Sequence, residues 1–202
     1  APEKQERAKA LGDVAEKAME RLNSAWPLPW SQKVPLIIPT SPEQAATLLR
    51  ISNDVAQFAA FTSYQPVRDE DWRVSPPRLF AQDENLSKAP EQNQQDTIVH
   101  ELVHAASANV TGPFTPVWLQ EGLAEWIRLG KPLKETPEMI SSKKLPDPVA
   151  FASSDRAALT DAYASATSAV VFLAKSKGED APFKILQSLG ANPGSFGFDG
   201  LF

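Results

Sequence analysis

The chain has no cysteine among its 202 residues. Disulfides are excluded, and a closed structural zinc site, which often uses several thiolates, is disfavoured. Histidine is almost as scarce, with two copies, so imidazole can supply at most two ligands to any metal. There is no run of eighteen apolar residues, the usual mark of a membrane-spanning helix. Basic residues are outnumbered: 20 Lys and Arg stand against 25 Asp and Glu, for a net charge of −5. No basic stripe is visible, which gives no support for nucleic-acid binding. The pairs Lys131/Lys134 and Lys143/Lys144 fall in a proline-rich stretch and read as a solvated loop. An initiating methionine is also missing. The start Ala1-Pro2-Glu3 suggests a processed mature form or a trimmed fragment.

What is present is an ordinary apolar fraction of 42%, enough for one core in a chain of this length. The two histidines are not scattered. They stand four apart in His100-Glu101-Leu102-Val103-His104. On a helix of about 3.6 residues per turn, such positions project from one face. Two imidazoles so placed can grip one zinc ion, and Glu101 can act as general base towards a water activated by the metal. The bare pattern arises by chance in roughly one ordinary chain in a few hundred, so its surroundings matter. Between Thr97 and Ala106 the only charge is Glu101. This predicts a buried helix with one polar purpose, rather than two histidines satisfying core hydrogen bonds.

With no third histidine and no cysteine, a carboxylate must complete the site. Thr115-Pro116 reads as an N-cap and first helical residue, opening a second helix with Glu121 and Glu125 one turn apart. Sixteen residues separate His104 from Glu121. That length lets the first helix end near Asn109, turn at Thr111-Gly112-Pro113, and return alongside. Glu121 is the preferred third ligand. Glu125 would hydrogen-bond a ligating histidine and fix its tautomer. The exchanged assignment, with Glu125 as ligand, is the main competitor. Gly122 and Ala124 lack bulk and would let the two helices approach closely near the metal.

These two segments resemble the gluzincin metallopeptidases, most closely the bacterial peptidase-MA-like families. Their second motif, Trp-Leu-x-Glu-Gly-(Leu/Phe)-Ala-(Glu/Asp)-(Tyr/Trp), is matched in full by Trp118 to Trp126. The likeness spans roughly Lys33 to Leu189, with its specificity in the two motifs. It implies zinc held by His100, His104 and Glu121, with Glu125 supporting a histidine. Asp161-Ala162-Tyr163-Ala164-Ser165 resembles the family's Ala-Tyr-x-x-Ser stretch, although here the serine follows the tyrosine by two. Tyr163, at the start of the helix after the loop, would then donate to the oxyanion; the alternative is a tyrosine packed between helices. The implied activity is zinc-dependent hydrolysis of peptide bonds by a monomer. Two alternatives stand beside it: a non-catalytic protein-binding module on the same scaffold, and hydrolysis of a non-peptide amide. The likeness and the eighteen prolines also suggest an exported bacterial protein, secreted or in the cell envelope. Tyr64, Arg128 and Arg156 are weaker candidates for substrate contacts, and Asp96, one turn before His100, reads as a solvated carboxylate.

Along the chain, Leu11, Val14, Ala15, Ala18, Met19 and Leu22 predict an amphipathic helix from Ala8 to Trp26. Val34–Ile38 reads as a short strand, with Pro35 suggesting an edge or strand-start position. Ser41-Pro42-Glu43-Gln44 predicts a capped helix from Pro42 to about Ile51. Val55–Ser63 and Trp72–Val74 read as further strands, and Asp83–Ala89 as polar loop. The zinc helix is expected from about Pro90. Lys131–Asp155 reads as a loop forming a candidate rim of the cleft. Thr160–Lys177 and Ala181–Leu189 are predicted helices, the second ended by Gly190. The tail from Ala191 reads as loose. The whole is expected to be one α+β domain over residues 1–202: an N-terminal helix to 26, sheet and zinc helices over 33–130, the loop 131–155, and C-terminal helices 156–190. The resemblance adds a zincin-like plan, with a small sheet packed on the histidine-bearing helix and one strand edge holding an extended peptide. Which strand is that edge is not legible.

Overall fold

A computed structural model describes residues 2–50, 55, 56, 58–67, 73–112, 115–136, 139 and 144–191. The fold is α+β. The chain packs as two compact units, Ala1–Ala108 and Asn109–Phe202.

The first unit is built around one long helix. Helix α1 (Pro2–Ala25) starts earlier than its apolar period indicates. Its buried residues Leu11, Val14, Ala18 and Leu22 recur at helical spacing, and α1 packs against α4 (Glu91–Ser107). Ion pairs flank this seam: Lys17 to Glu91 at 2.6 Å and Arg21 to Asp96 at 2.7 Å. Asp96 is thus paired with a cation rather than simply solvated. Arg7 of α1 also pairs with Asp83 at 2.8 Å.

Strands β1 (Leu36–Ile37), β2 (Ala60–Ser63) and β5 (Arg78–Ala81) form a mixed sheet in the order β1-β5-β2. β1 runs parallel to β5, and β2 antiparallel to it, with Phe61 opposite Phe80 and Thr62 opposite Leu79. A separate two-residue pair joins β3 (Pro66–Val67) to β4 (Arg73–Val74). The Pro35 signal holds: β1 lies at a sheet edge. Trp72, assigned in sequence to a third strand, lies outside the described residues, as do Pro113 and the tail beyond residue 191.

Alternation along the strands gives the sheet two different faces. Phe61 and Phe80 stack, with ring centroids 5.1 Å apart and planes within 7°. They join Ile37, Val55 and the α2 (Pro42–Leu49) residues Ala45 and Leu49 in one cluster. Ala60, Thr62, Leu79 and Ala81 occupy the other face, and β2 and β5 pack on α4. The sheet therefore lies between α2 and the histidine helix.

Several predicted boundaries moved, each for a local reason. The second strand begins at Ala60, not Val55. Ahead of it, side chains take the carbonyls a ladder would use: Gln82 Nε2 donates to the oxygens of Val55 and Phe58, and Asn85 Nδ2 to that of Ala56. The supposed polar loop contains a single helical turn, α3 (Asp83–Leu86), whose two leading carboxylates suit a helix N-terminus. At α2, Ser41 Oγ accepts from Gln44 N–H as expected, while Gln44 Oε1 reaches one residue further back, to Thr40 N–H at 2.6 Å. The structure also contains a strand absent from the sequence reading, β5, at the centre of the sheet.

In the second unit, α5 (Val117–Arg128), α6 (Arg156–Lys177) and α7 (Ala181–Ala191) pack together. Trp126, Leu119, Leu123, Ala166, Val170, Phe183 and Leu186 are buried here. Between α5 and α6 the described residues of the proline-rich segment hold one short 3-10 turn, Pro148–Ala152, with the Asp147 carboxylate accepting from Val149 N–H. α6 starts four residues before its predicted point, because Asp155 caps it by accepting from Ala157 N–H at 2.8 Å. By length and composition α6 would suffice to cross a membrane, with a mean hydropathy of 1.3 over an 18-residue window. Half of that window is buried within the fold. Ser165, Thr167 and Ser168 interrupt its apolar residues, so it holds no unbroken apolar run of eighteen.

Gly190 does not end α7. It lies within the helix, and a Cβ there would stand 1.9 Å from the Val110 carbonyl oxygen. Its lack of a side chain serves close approach instead.

Candidate metal centre

α4 carries both histidines because nothing in Glu91–Ser107 interrupts the helix and its apolar residues Ile98, Val99, Leu102, Val103, Ala105 and Ala106 are buried. His100 and His104 lie one turn apart, half-buried. Their Nε2 atoms face each other at 3.2 Å, and the rings stand edge to face, 73° apart in plane. A tetrahedral ion with metal–nitrogen bonds of about 2.0–2.1 Å separates two nitrogen ligands by about 3.3–3.4 Å. The observed spacing is within about 0.2 Å of that bite.

His100, His104 and Glu121 form a group whose ligand atoms all lie within 4.8 Å of one another, a set that could hold a metal ion. Two imidazole nitrogens and one carboxylate oxygen suit a borderline divalent transition metal better than a hard ion such as calcium, which takes six to eight oxygens. Glu121 projects from α5, which begins one residue later than Thr115-Pro116 implies. Thr115 does not cap it; its hydroxyl accepts from Gly112 N–H at 2.9 Å, and Pro116 is the N-cap.

Glu101 lies between the two histidines on the same helix. Its main-chain oxygen accepts a hydrogen bond from the Thr62 hydroxyl of β2 at 2.7 Å. Sequence reasoning did not single out Thr62, since nothing local marks a threonine on a short strand as a partner of a helix 39 residues away.

Glu125 is fork-bonded to Arg128, one turn on: Nε donates to Oε1 at 2.9 Å, and the second guanidinium nitrogen to Oε2. Arg128, a weaker candidate for a substrate contact, is half-buried beside this carboxylate. Gly122 plays a different part from the one expected. A Cβ there would lie 2.4 Å from the Ala166 carbonyl oxygen, so its smallness lets α6 approach α5.

Tyr163 lies two turns into α6 rather than at its start. Its ring is edge-on to Phe151 of the 3-10 turn, with centroids 5.3 Å apart. Tyr64 is half-buried just after β2, and Arg156 is exposed at the first position of α6. No family model matches the chain, no curated protein matches its sequence, and no solved structure matches its fold.

Proposed function

We propose that this chain is a zinc-dependent peptidase of the gluzincin type, of the peptidase-MA-like kind that its two motifs resemble. The observation that carries the proposal is the His100–His104 Nε2 pair at 3.2 Å, grouped with Glu121 and separated in sequence by Glu101. In this reading His100, His104 and Glu121 hold zinc. When bound, zinc polarises a carbonyl and lowers the pKa of a water to about 7. The chain's own residues do the rest. Glu101, about 100° round the helix from His100, takes the proton of the attacking water and returns it to the leaving amine. The Tyr163 hydroxyl donates a hydrogen bond to the oxyanion. Glu125, steadied by Arg128, orients the ligand set.

The zincin-like arrangement belongs to the same proposal. It is supported by a mixed sheet lying on the histidine helix and by β2 standing at the sheet's edge. An extended peptide would add to β2 through main-chain hydrogen bonds.

The test begins with bound metal, measured by mass spectrometry on the purified protein, followed by a broad peptide library. Zinc at one per chain and cleavage that drops about 10²–10⁴-fold in Glu101→Gln is the expected result. Peptides bound equally by wild type and Glu101→Gln, with cleavage by neither, would instead establish a binding module.

A further inference from the structure

The hydroxyl of Thr62 connects the edge strand to the helix at the residue proposed as general base. Of the two β2 residues on the α4 face, Ala60 and Thr62, only Thr62 has a side-chain donor. It spends that donor on the main-chain oxygen of Glu101, at 2.7 Å and partly buried. The contact is specific in register. Side chains on one face of a strand recur about every 6.6–6.8 Å, so no neighbouring β2 residue can substitute for it. The opposite side of β2 is held as well, through the Phe61–Phe80 stack. The strand is pinned in rotation by its aromatic face and in height by its hydroxyl.

We propose that Thr62 is a positioning residue. It sets the height of the β2 edge relative to Glu101 and the two imidazoles, and so the height of any peptide backbone laid on that edge. This inference rests on the peptidase reading. Hydrolysis depends on where the scissile carbonyl sits relative to the base, and a misplacement of about 1 Å can cost about 10²-fold in rate. The effect therefore falls on turnover. Metal affinity is not expected to depend on the hydroxyl, because its hydrogen bond goes to the main chain of Glu101 and not to a proposed ligand side chain.

Three proteins decide the matter: wild type, Thr62→Val, which keeps the shape and removes the donor, and Thr62→Ser, which keeps the donor. The readouts are zinc affinity by chelator competition, amide hydrogen exchange over residues 60–63, and kcat and KM on a peptide that wild type cleaves. Thr62→Val is expected to lose about tenfold or more in kcat with zinc affinity unchanged and faster exchange in β2. Thr62→Ser is expected to recover most of the loss. Wild-type kcat in Thr62→Val overturns the proposal, as does a loss that Thr62→Ser does not recover. If wild type cleaves no peptide, the peptidase reading fails, and the exchange data then judge the anchor alone. Equal exchange in wild type and Thr62→Val would remove that too.

Discussion

A methyl group on Gly122 would lie 2.4 Å from the carbonyl oxygen of Ala166. The close approach of α5 and α6 depends on that missing atom. Gly122→Ala improves helix propensity, yet the clash is with backbone and with a β-branched Val170 methyl at 2.8 Å, neither of which can swing aside. A net loss of about 1–3 kcal/mol is expected from overpacking, read as a lower melting temperature or denaturant midpoint. Gly190→Ala, facing the Val110 carbonyl at 1.9 Å, should behave alike. Gly12→Ala is the control, because nothing lies within 4 Å of the added atom.

Metal binding should separate the proposed ligands from the proposed base. His104→Ala leaves one imidazole on α4 and should lose stoichiometric zinc after dialysis, as measured by mass spectrometry. Glu121→Gln, which keeps size but removes charge, should weaken affinity by a large factor. Glu101→Gln should retain wild-type zinc, because Glu101 is assigned the proton and not the metal.

Zinc should also raise thermal stability by linkage, by about 2.7 kcal/mol when free metal exceeds its dissociation constant 100-fold. Addition of a chelator should reverse the gain in wild type. His104→Ala should show no response to either treatment.

The α1–α4 seam has a pH signature. Its Lys17 ammonium is raised above the ordinary lysine range, first by its hydrogen bond to Glu91 and then by that carboxylate's charge. Glu91 is held below the usual carboxylate range by the same hydrogen bond and charge. The lowered Glu91 value makes its contribution present above the unfolded pKa and lost as pH falls through the folded value. The raised Lys17 value makes its contribution present below the unfolded pKa and lost as pH rises through the folded one. Glu91→Gln should therefore lower melting temperature slightly near neutral pH, with the difference vanishing in strong acid. Because both groups are exposed, high salt should shrink it as well.

Ser41, the N-cap of α2, touches two residues of that helix's first turn. Its Oγ accepts from Gln44 N–H, and its hydroxyl together with the local backbone N–H holds the Glu43 carboxyl below its usual range. Ser41→Ala should cost about 1 kcal/mol, measured by chemical denaturation, while Ser41→Asp should retain most of the stability.

How much was legible follows from how local each signal is. α1 announces itself through apolar period, α2 through capping chemistry, and α4 through its paired histidines and uncharged flank, each within a few residues. β5 does not. Leu79, Phe80 and Ala81 are buried on both faces of the sheet, so the polar–apolar alternation that marks a half-exposed strand is absent. Four residues after a double proline offer no other sign. Thr115 misled for a related reason: its hydroxyl had two possible backbone partners, and the turn at Gly112 took it.

The sequence by itself determined the chemistry on offer: two imidazoles one turn apart, a glutamate between them, further glutamates downstream, and no thiol. Helical periodicity alone places those histidines on one face. Only the tertiary structure decided what touches what. It turned Gly122 towards Ala166 and Gly190 towards Val110, and it set Thr62 under Glu101. Side-chain spacing along a helix is written in its 3.6-residue period. Contacts between residues far apart in sequence depend on how buried faces pack, and no local stretch of chain encodes that.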